Sequence, residues 1–211
     1  MFNLGIKIDL SLGAFQPREE TAEWVKEVIQ EIEERSKENP TKIWRVLDIF
    51  AGSGFIGLSI LKNISNSKVD FAEINPSFVQ QIKLNLRLNQ IDLSRVNVIQ
   101  SDVFKNVSGQ YDYVLANPPY VARRRKYLVQ NSVLENDPLE ALWGGEDGMK
   151  YIKILLEKAN DYLLPSGRLY FEFSPEQKGK IEKLTADKFR VKLFKDSQGF
   201  WRWGKVILEV G

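Results

Sequence analysis

The sequence contains no cysteine and no histidine among its 211 residues. The absence of cysteine excludes disulfides, thiolate metal sites and thiol nucleophiles. The absence of histidine excludes Ser-His triads, His-ligated zinc and the most common general base. Chemistry in this protein must therefore come from carboxylates, amides, hydroxyls, backbone groups or a reactive cofactor, and we expect no metal site.

The sequence also lacks a strong charge imbalance and a long apolar run. Its 30 basic and 28 acidic residues give a formal net charge of +2, so bulk charge does not mark a nucleic-acid-binding protein. No apolar run approaches the roughly 20 residues that a membrane span needs. The first residues do not follow the pattern of a signal peptide. We therefore expect a cytoplasmic protein without a membrane partner.

Short apolar runs alternate with amphipathic segments along most of the chain. Five runs predict strands, over residues 44–50, 68–74, 96–100, 111–116 and 168–173. Two further β-rich runs flank a turn at residues 196–199 and predict an antiparallel hairpin near the C-terminus. The alternation predicts an α/β fold with a mostly parallel, seven-stranded sheet and helices on both faces.

The length and the N-terminal pattern predict two regions. A chain of 211 residues suits one α/β domain. Residues 2–8 and 10–15 look like two short extended pieces, so we expect residues 1–16 to form a β-hairpin extension. Residues 17–211 are predicted to form the main domain. Ligands of such domains bind beyond the carboxyl ends of the strands, where the strand order reverses.

A glycine-containing turn follows the first predicted strand. Its candidate cofactor-binding residues are Asp48, Phe50, Ala51, Gly52, Ser53 and Gly54. The two glycines allow the backbone to approach a ligand closely. The following helix start offers free N–H groups and a partial positive charge, which suits a carboxylate such as that of S-adenosylmethionine. An ordinary strand–helix turn would show the same pattern.

Acidic residues end the second and third predicted strands. Glu73 lies about 20 residues after the glycines, where an acidic group typically accepts hydrogen bonds from ribose hydroxyls. Asp102 could accept from an adenine amino group, with Val103 or Phe104 against the ring. A solvent-exposed carboxylate and a turn-forming aspartate are the respective alternatives.

The tetrapeptide Asn117-Pro118-Pro119-Tyr120 follows the fourth predicted strand. Its two prolines stiffen the backbone and donate no N–H. The Asn117 side-chain oxygen and the Pro118 carbonyl could each accept one hydrogen of a planar NH2 group, and the Tyr120 ring could pack on a flat amide or base. We therefore predict that Asn117, Pro118 and Tyr120 are catalytic, that all four residues bind the acceptor, and that Asn117 also borders the cofactor.

Taken together, these motifs resemble those of the HemK/PrmC family, the glutamine methyltransferases that act on peptide-chain release factors. The resemblance spans nearly the whole chain. It rests on residues 16–21, 48–54, Glu73, 117–120, 137–148, Glu172, Gln177 and 195–202. It implies a Rossmann-like class I methyltransferase fold, a catalytic domain over residues 17–211, S-adenosylmethionine as cofactor and a release factor as protein partner.

Three features depart from the family pattern. Phe50 stands where the family usually has a glycine, so its ring either points away from the cofactor or alters the pocket. Glu73 replaces the more usual aspartate and gives a longer arm for the same bond. The family's N-terminal helical domain, which helps to grip the protein substrate, has no counterpart in this sequence.

Three functions fit these observations. The leading hypothesis is methylation of a protein glutamine at N5. The first alternative is N6-methylation of adenine in DNA or RNA, because the same tetrapeptide suits the same kind of nitrogen. The basic run at residues 123–126 favours that alternative, and the near-neutral net charge disfavours it. The second alternative is a non-catalytic binding subunit that keeps only the fold.

Overall fold

In the computed structural model, which describes residues 4–123, 143–186 and 190–207, seven strands form one sheet. The strands are β1 (Trp44–Ile49), β2 (Ser67–Glu73), β3 (Val96–Gln100), β4 (Tyr111–Ala116), β5 (Leu163–Glu172), β6 (Arg190–Lys195) and β7 (Trp201–Ile207). The helices are α1 (Glu19–Glu38), α2 (Phe55–Asn63), α3 (Pro76–Leu88), α4 (Lys150–Tyr162) and α5 (Lys178–Thr185), with short 3-10 turns at Leu93–Arg95 and Pro175–Gln177.

The strand order is β3-β2-β1-β4-β5-β7-β6. Neighbouring strands from β3 to β5 are parallel, whereas β7 is antiparallel to both β5 and β6. The predicted fold class is therefore confirmed: a Rossmann-like, mostly parallel seven-stranded sheet that ends in an antiparallel hairpin. The order of strands reverses between β1 and β4, and the carboxyl ends of these two strands border the expected ligand position.

Hydrophobic side chains alternate between the two faces of the sheet. Val46 packs into one core cluster and its neighbour Leu47 into the other. The first cluster contains residues of α1, α2 and α3, and the second contains residues of α4 and α5. Helices therefore cover both faces, as the sequence predicts. No helix in the described ranges is both long enough and apolar enough to cross a membrane.

The start of α3 shows how the sequence sets the edge of the site. The Asn75 side chain accepts a hydrogen bond from the Ser77 amide at 2.9 Å, and Pro76 occupies the first helical turn. Asn75 therefore caps α3, and Pro76 suits the first turn because a backbone N–H there would have no partner within the helix. This cap begins α3 directly after Glu73, which ends β2.

The β-hairpin expected within residues 1–16 is wrong for the described part of that segment. Residues 4–14, which we call the N-terminal strap, contain no strand, although a turn closes with a bond from Gly13 N to Leu10 O at 2.9 Å. The backbone of the strap bonds instead to side-chain amides of α3. Lys7 N donates to Asn89 Oδ1 at 2.7 Å, and Asp9 N donates to Asn85 Oδ1 at 2.8 Å.

The side chains that hold the strap lie on one face of α3. Gln81, Asn85 and Asn89 are each four residues apart, and Gln81 accepts from Leu12 N at 2.7 Å. Each amide side chain offers both a donor and an acceptor, as a neighbouring strand would. Helical spacing therefore supplies the hydrogen bonds that a second strand would have supplied.

Asn85 connects the strap to the turn after β1, and its removal should destabilise both. Its Nδ2 donates to Asp9 O at 3.1 Å and to Ser53 O at 2.9 Å. We expect Asn85→Ala to lower the free energy of unfolding by about 2–3 kcal/mol, because buried backbone groups lose their partners. The exposed Lys83 on the same helix gives the control, and Lys83→Ala should change it by under about 0.5 kcal/mol. Equal losses in urea denaturation would contradict this assignment.

Candidate active site

A cavity of about 280 Å³ lies beyond the carboxyl ends of β1, β2 and β4. Residues from all three predicted site segments line it: Phe50, Ala51, Gly52, Ser53, Glu73, Asp102, Val103, Asn117, Pro118, Pro119 and Tyr120. The structure therefore brings together the turn after β1, the acidic ends of β2 and β3, and the tetrapeptide after β4. The predicted residues Asp48 and Gly54 do not line the cavity.

The turn after β1 is folded tightly by its two glycines. Gly52 has φ of 54° and Gly54 has φ of 79°, a left-handed backbone that favours glycine. Gly54 N donates to Ala51 O at 2.7 Å, and a side chain at Gly54 would press on Ile82 of α3 at 3.3 Å. The turn is therefore fixed against α3, and Gly54 shapes it without reaching the cavity.

Glu73 holds this turn from the end of β2. Its Oε2 accepts from Gly52 N at 2.8 Å, and its Oε1 accepts from Asn75 N at 2.8 Å. Burial raises the pKa of Glu73, and these backbone bonds oppose the rise. A carboxylate oxygen can accept more than one hydrogen bond. Both oxygens can therefore still accept from a ribose hydroxyl, and the longer arm of glutamate allows the bond to Gly52.

Asp48 lies beneath the turn and is fully buried. Its Oδ2 accepts from Gly57 N in α2 at 2.8 Å, while its Oδ1 has no partner within the described residues. Burial raises the pKa of Asp48 well above its usual range. The expected direct contact between Asp48 and a cofactor is thus not what its position offers. Asp48 lies on β1, before the turn, and its hydrogen bond to Gly57 fixes the first turn of α2 instead.

Phe50 occupies a strained backbone position in the turn after β1. Its φ is 62°, in the left-handed region that costs a non-glycine residue roughly 1–2 kcal/mol. Its ring packs edge-on against Tyr151 of α4, with centroids 5.1 Å apart at 65°. Both residues line the cavity. The ring is therefore held against α4, and the position of a bound cofactor relative to it stays a prediction.

Asn117 and Pro118 lie directly after β4, on the side of the cavity opposite Glu73 in the strand order. Asn117 Nδ2 donates to Thr21 Oγ1 on α1 at 3.3 Å. Thr21 Oγ1 in turn donates to Glu172 Oε2 at the end of β5, at 2.7 Å. The side-chain nitrogen of Asn117 is thus bound to Thr21, and the side-chain oxygen points away from Thr21.

Glu172 and Gln177 bind the side chain and the backbone of Tyr120, respectively. Its hydroxyl donates to Glu172 Oε1 at 3.0 Å, and its carbonyl accepts from Gln177 Nε2 at 3.0 Å. Burial raises the pKa of Tyr120. A side chain at Gly148 would lie 2.4 Å from the Tyr120 carbonyl, so glycine is required there. Tyr120 lines the cavity, and its hydroxyl is bound to Glu172.

Sequence reasoning missed the roles of Thr21 and Trp24. Trp24 Nε1 donates to Glu172 Oε2 at 3.1 Å, so two residues of α1, Thr21 and Trp24, bind the same carboxylate oxygen. Burial raises the pKa of Glu172, and the bonds from Thr21, Trp24 and Tyr120 oppose that rise. The only signal in the sequence was the resemblance of residues 16–21 to the family pattern, which ends at Thr21.

Two sequence features lie largely outside the described residues. Of the basic run at residues 123–126, only Arg123 is described. Of the family-like segment at residues 137–148, the part from Trp143 onward is described, and Gly144 there approaches the Pro119 carbonyl so closely that a side chain would lie 2.6 Å from it. The part of that segment from Trp143 onward therefore packs against the tetrapeptide.

The backbone strain at Phe50 can be measured with two substitutions that both remove the ring. Phe50→Gly and Phe50→Ala lose the same contact with Tyr151 and differ mainly in the ease of a left-handed backbone. We expect the glycine variant to have the higher free energy of unfolding by about 1 kcal/mol. Alanine is ordinarily the more stable of the two, so an alanine variant that is equal or better in urea denaturation would refute the strain.

Comparison with known proteins adds the family and the fold. A family model described as "Methyltransferase small domain" matches residues 34–136. Among solved structures, the hMettl16 catalytic domain in complex with MAT2A 3'UTR hairpin 6 superposes with a TM-score of 0.72 and 14% identity, and the match covers 99% of this chain and 77% of that chain. At that identity the likeness shows the fold alone.

Two curated relatives are similar over most of the chain. A release factor glutamine methyltransferase of Streptococcus pneumoniae is 32% identical, and the match covers 92% of this chain and 67% of the relative. A release factor glutamine methyltransferase of Flavobacterium psychrophilum is 31% identical over 96% of this chain and 70% of the relative. With this similarity on a confirmed methyltransferase fold, the chain belongs to the release factor glutamine methyltransferase family.

Proposed function

We propose that this protein transfers a methyl group from S-adenosylmethionine to the side-chain amide nitrogen, N5, of a glutamine in a peptide chain release factor. One observation carries the proposal. Asn117 and Pro118, which offer acceptors, border the same cavity as Glu73 and the turn at Gly52. A flat NH2 group held by the first pair would therefore meet a cofactor held by the second.

The cavity residues fit the parts of S-adenosylmethionine. The tight Gly52-Ser53 turn and the start of α2 would hold the methionine carboxylate. Glu73 would accept from the ribose hydroxyls through the capacity that its two backbone bonds leave. Asp102 would accept from the adenine amino group, with Val103 against the ring. When bound, the cofactor supplies an activated methyl group on a sulfonium.

The tetrapeptide would then orient the acceptor. An amide nitrogen is a poor nucleophile because its lone pair is delocalised. Asn117 Oδ1 and the Pro118 carbonyl would each accept one N–H of the glutamine side chain and turn its nitrogen toward the methyl group. Alignment of this kind is worth roughly 7–11 kcal/mol. The same two oxygens would stabilise the positive charge that grows on the nitrogen. This chemistry needs no histidine, and the sequence has none.

The organisation that we propose follows from this site. Residues 17–211 form the methyltransferase catalytic domain, and the segment before them, including the N-terminal strap, braces its cofactor turn through Asn85. The protein substrate is used in translation, so we place the reaction in the cytoplasm.

A labelled methyl group tests the proposed acceptor. The protein would be incubated with methyl-labelled S-adenosylmethionine and, separately, release factor, duplex DNA and ribosomal RNA. We expect label in the release factor and its loss when the acceptor glutamine is replaced by glutamate. Label in nucleic acid alone would establish the adenine alternative. No binding of S-adenosylmethionine in calorimetry would indicate a non-catalytic subunit.

Two substitutions on opposite sides of the cavity should separate acceptor binding from cofactor binding. We expect Asn117→Ala to reduce kcat by about 10²–10³-fold, the effect of removing one transition-state hydrogen bond, with cofactor Kd unchanged within about twofold. We expect Glu73→Ala to raise cofactor Kd by about tenfold or more, since its ribose hydrogen bonds are lost. Steady-state kinetics and calorimetry measure the two effects. Equal losses of both quantities in Asn117→Ala would remove it from acceptor binding.

A further inference from the structure

Three side chains from distant parts of the sequence form one hydrogen-bonded chain beside the tetrapeptide. Asn117 Nδ2 lies 3.3 Å from Thr21 Oγ1, and Thr21 Oγ1 lies 2.7 Å from Glu172 Oε2. Thr21 is 3% exposed and Glu172 is 1% exposed, so the bond between them is shielded from water, whereas Asn117 is half-buried at the cavity. The chain links α1, the end of β4 and the end of β5.

The direction of each bond follows from the chemistry of Glu172. Trp24 Nε1 can only donate, and it donates to the same Oε2 at 3.1 Å. Tyr120 donates to Oε1 at 3.0 Å. As a carboxylate, Glu172 has no proton to donate and accepts from all three. Since Thr21 gives its only hydroxyl proton to this carboxylate, its oxygen can only accept from Asn117.

This direction decides which way the Asn117 amide faces. The two ends of a carboxamide have nearly the same shape, so packing alone does not distinguish them. A flipped amide would set Asn117 Oδ1 against the Thr21 oxygen, two acceptors with no proton between them. That arrangement leaves both oxygens without a donor, which is unfavourable for groups removed from water. The NH2 group therefore faces Thr21, and Oδ1 takes the other branch.

We propose that Thr21 and Glu172 are positioning residues that fix the Asn117 amide with its oxygen toward the methyl acceptor. The inference rests on the proposed function, because the acceptor NH2 group needs that oxygen. With the amide free to flip, the site would often present a donor to the substrate's own donor. In this role Thr21, which also lines the cavity, and Glu172 act through Asn117.

Three substitutions separate the direction of the bonds from size and charge. Thr21→Val keeps the shape and removes the hydroxyl, and we expect kcat to fall by about 10–100-fold, the scale of a misplaced reacting group. Thr21→Ser keeps the hydroxyl and should retain at least half of kcat. Glu172→Gln should retain kcat within about threefold, because the donor Trp24 obliges the new amide to turn its oxygen toward Thr21. Cofactor Kd should stay within about twofold in all three.

A spectroscopic signal reports the same chain without activity. In ¹H–¹⁵N spectra of the full chain, one Asn117 side-chain amide proton should be protected from exchange in the wild type and in Thr21→Ser, and should lose protection in Thr21→Val. An Asn117 signal that is the same in all three proteins overturns the proposal. So does a Thr21→Val variant whose kcat, cofactor affinity and Tm fall together, since that result indicates a structural role.

These readouts also separate the inference from the proposed function. If the wild type does not methylate release factor, the proposed function fails, and the exchange of the Asn117 amide still decides whether the chain of bonds exists. If the wild type is active and Thr21→Val retains full kcat, the proposed function stands and the positioning role is wrong.

Discussion

The buried carboxylate of Glu172 is the group on which the geometry of the site depends. A charge removed from water needs compensation by hydrogen bonds, and here donors from Thr21, Trp24 and Tyr120 oppose the cost of burial. Two of these donors come from α1 and the third comes from the tetrapeptide. Satisfying one carboxylate therefore fixes the position of a helix, the end of β5 and the residues after β4 relative to one another.

A second constraint comes from sheet topology. The strand order reverses between β1 and β4, so the turn after β1 and the tetrapeptide after β4 end at the same edge of the sheet with space between them. On one side of the cavity, Glu73 fixes the turn after β1 by its hydrogen bond to Gly52. On the other side, Glu172 binds Thr21, and Thr21 binds Asn117. Two buried carboxylates thus organise the two halves of one cavity, one for the proposed cofactor and one for the proposed acceptor.

The sequence predicted most of the strands, the helices between them and the C-terminal hairpin. These elements could be predicted because strands that are buried on both faces of a sheet consist of short runs of apolar residues. It also located the cavity-lining segments around Gly52, Glu73 and Asn117, although their contacts with a ligand stay predictions. It failed in the N-terminal strap, where extended residues suggested a hairpin. The strap bonds to amides spaced along α3, and that pairing leaves no local pattern in the strap itself.

By itself, the sequence determined the order of strands and helices, the stiff Asn117-Pro118 corner and the absence of histidine chemistry, since composition and neighbouring residues fix these. Only the tertiary structure decided that Asp48 lies beneath the turn, that Phe50 packs on Tyr151, and that Thr21 joins Asn117 to Glu172. The reason is physical. Asn117 and Thr21 are 96 positions apart in the sequence, and Thr21 and Glu172 are 151 positions apart. Hydrogen bonds over such separations depend on how three elements pack together, and no short stretch of sequence contains that information.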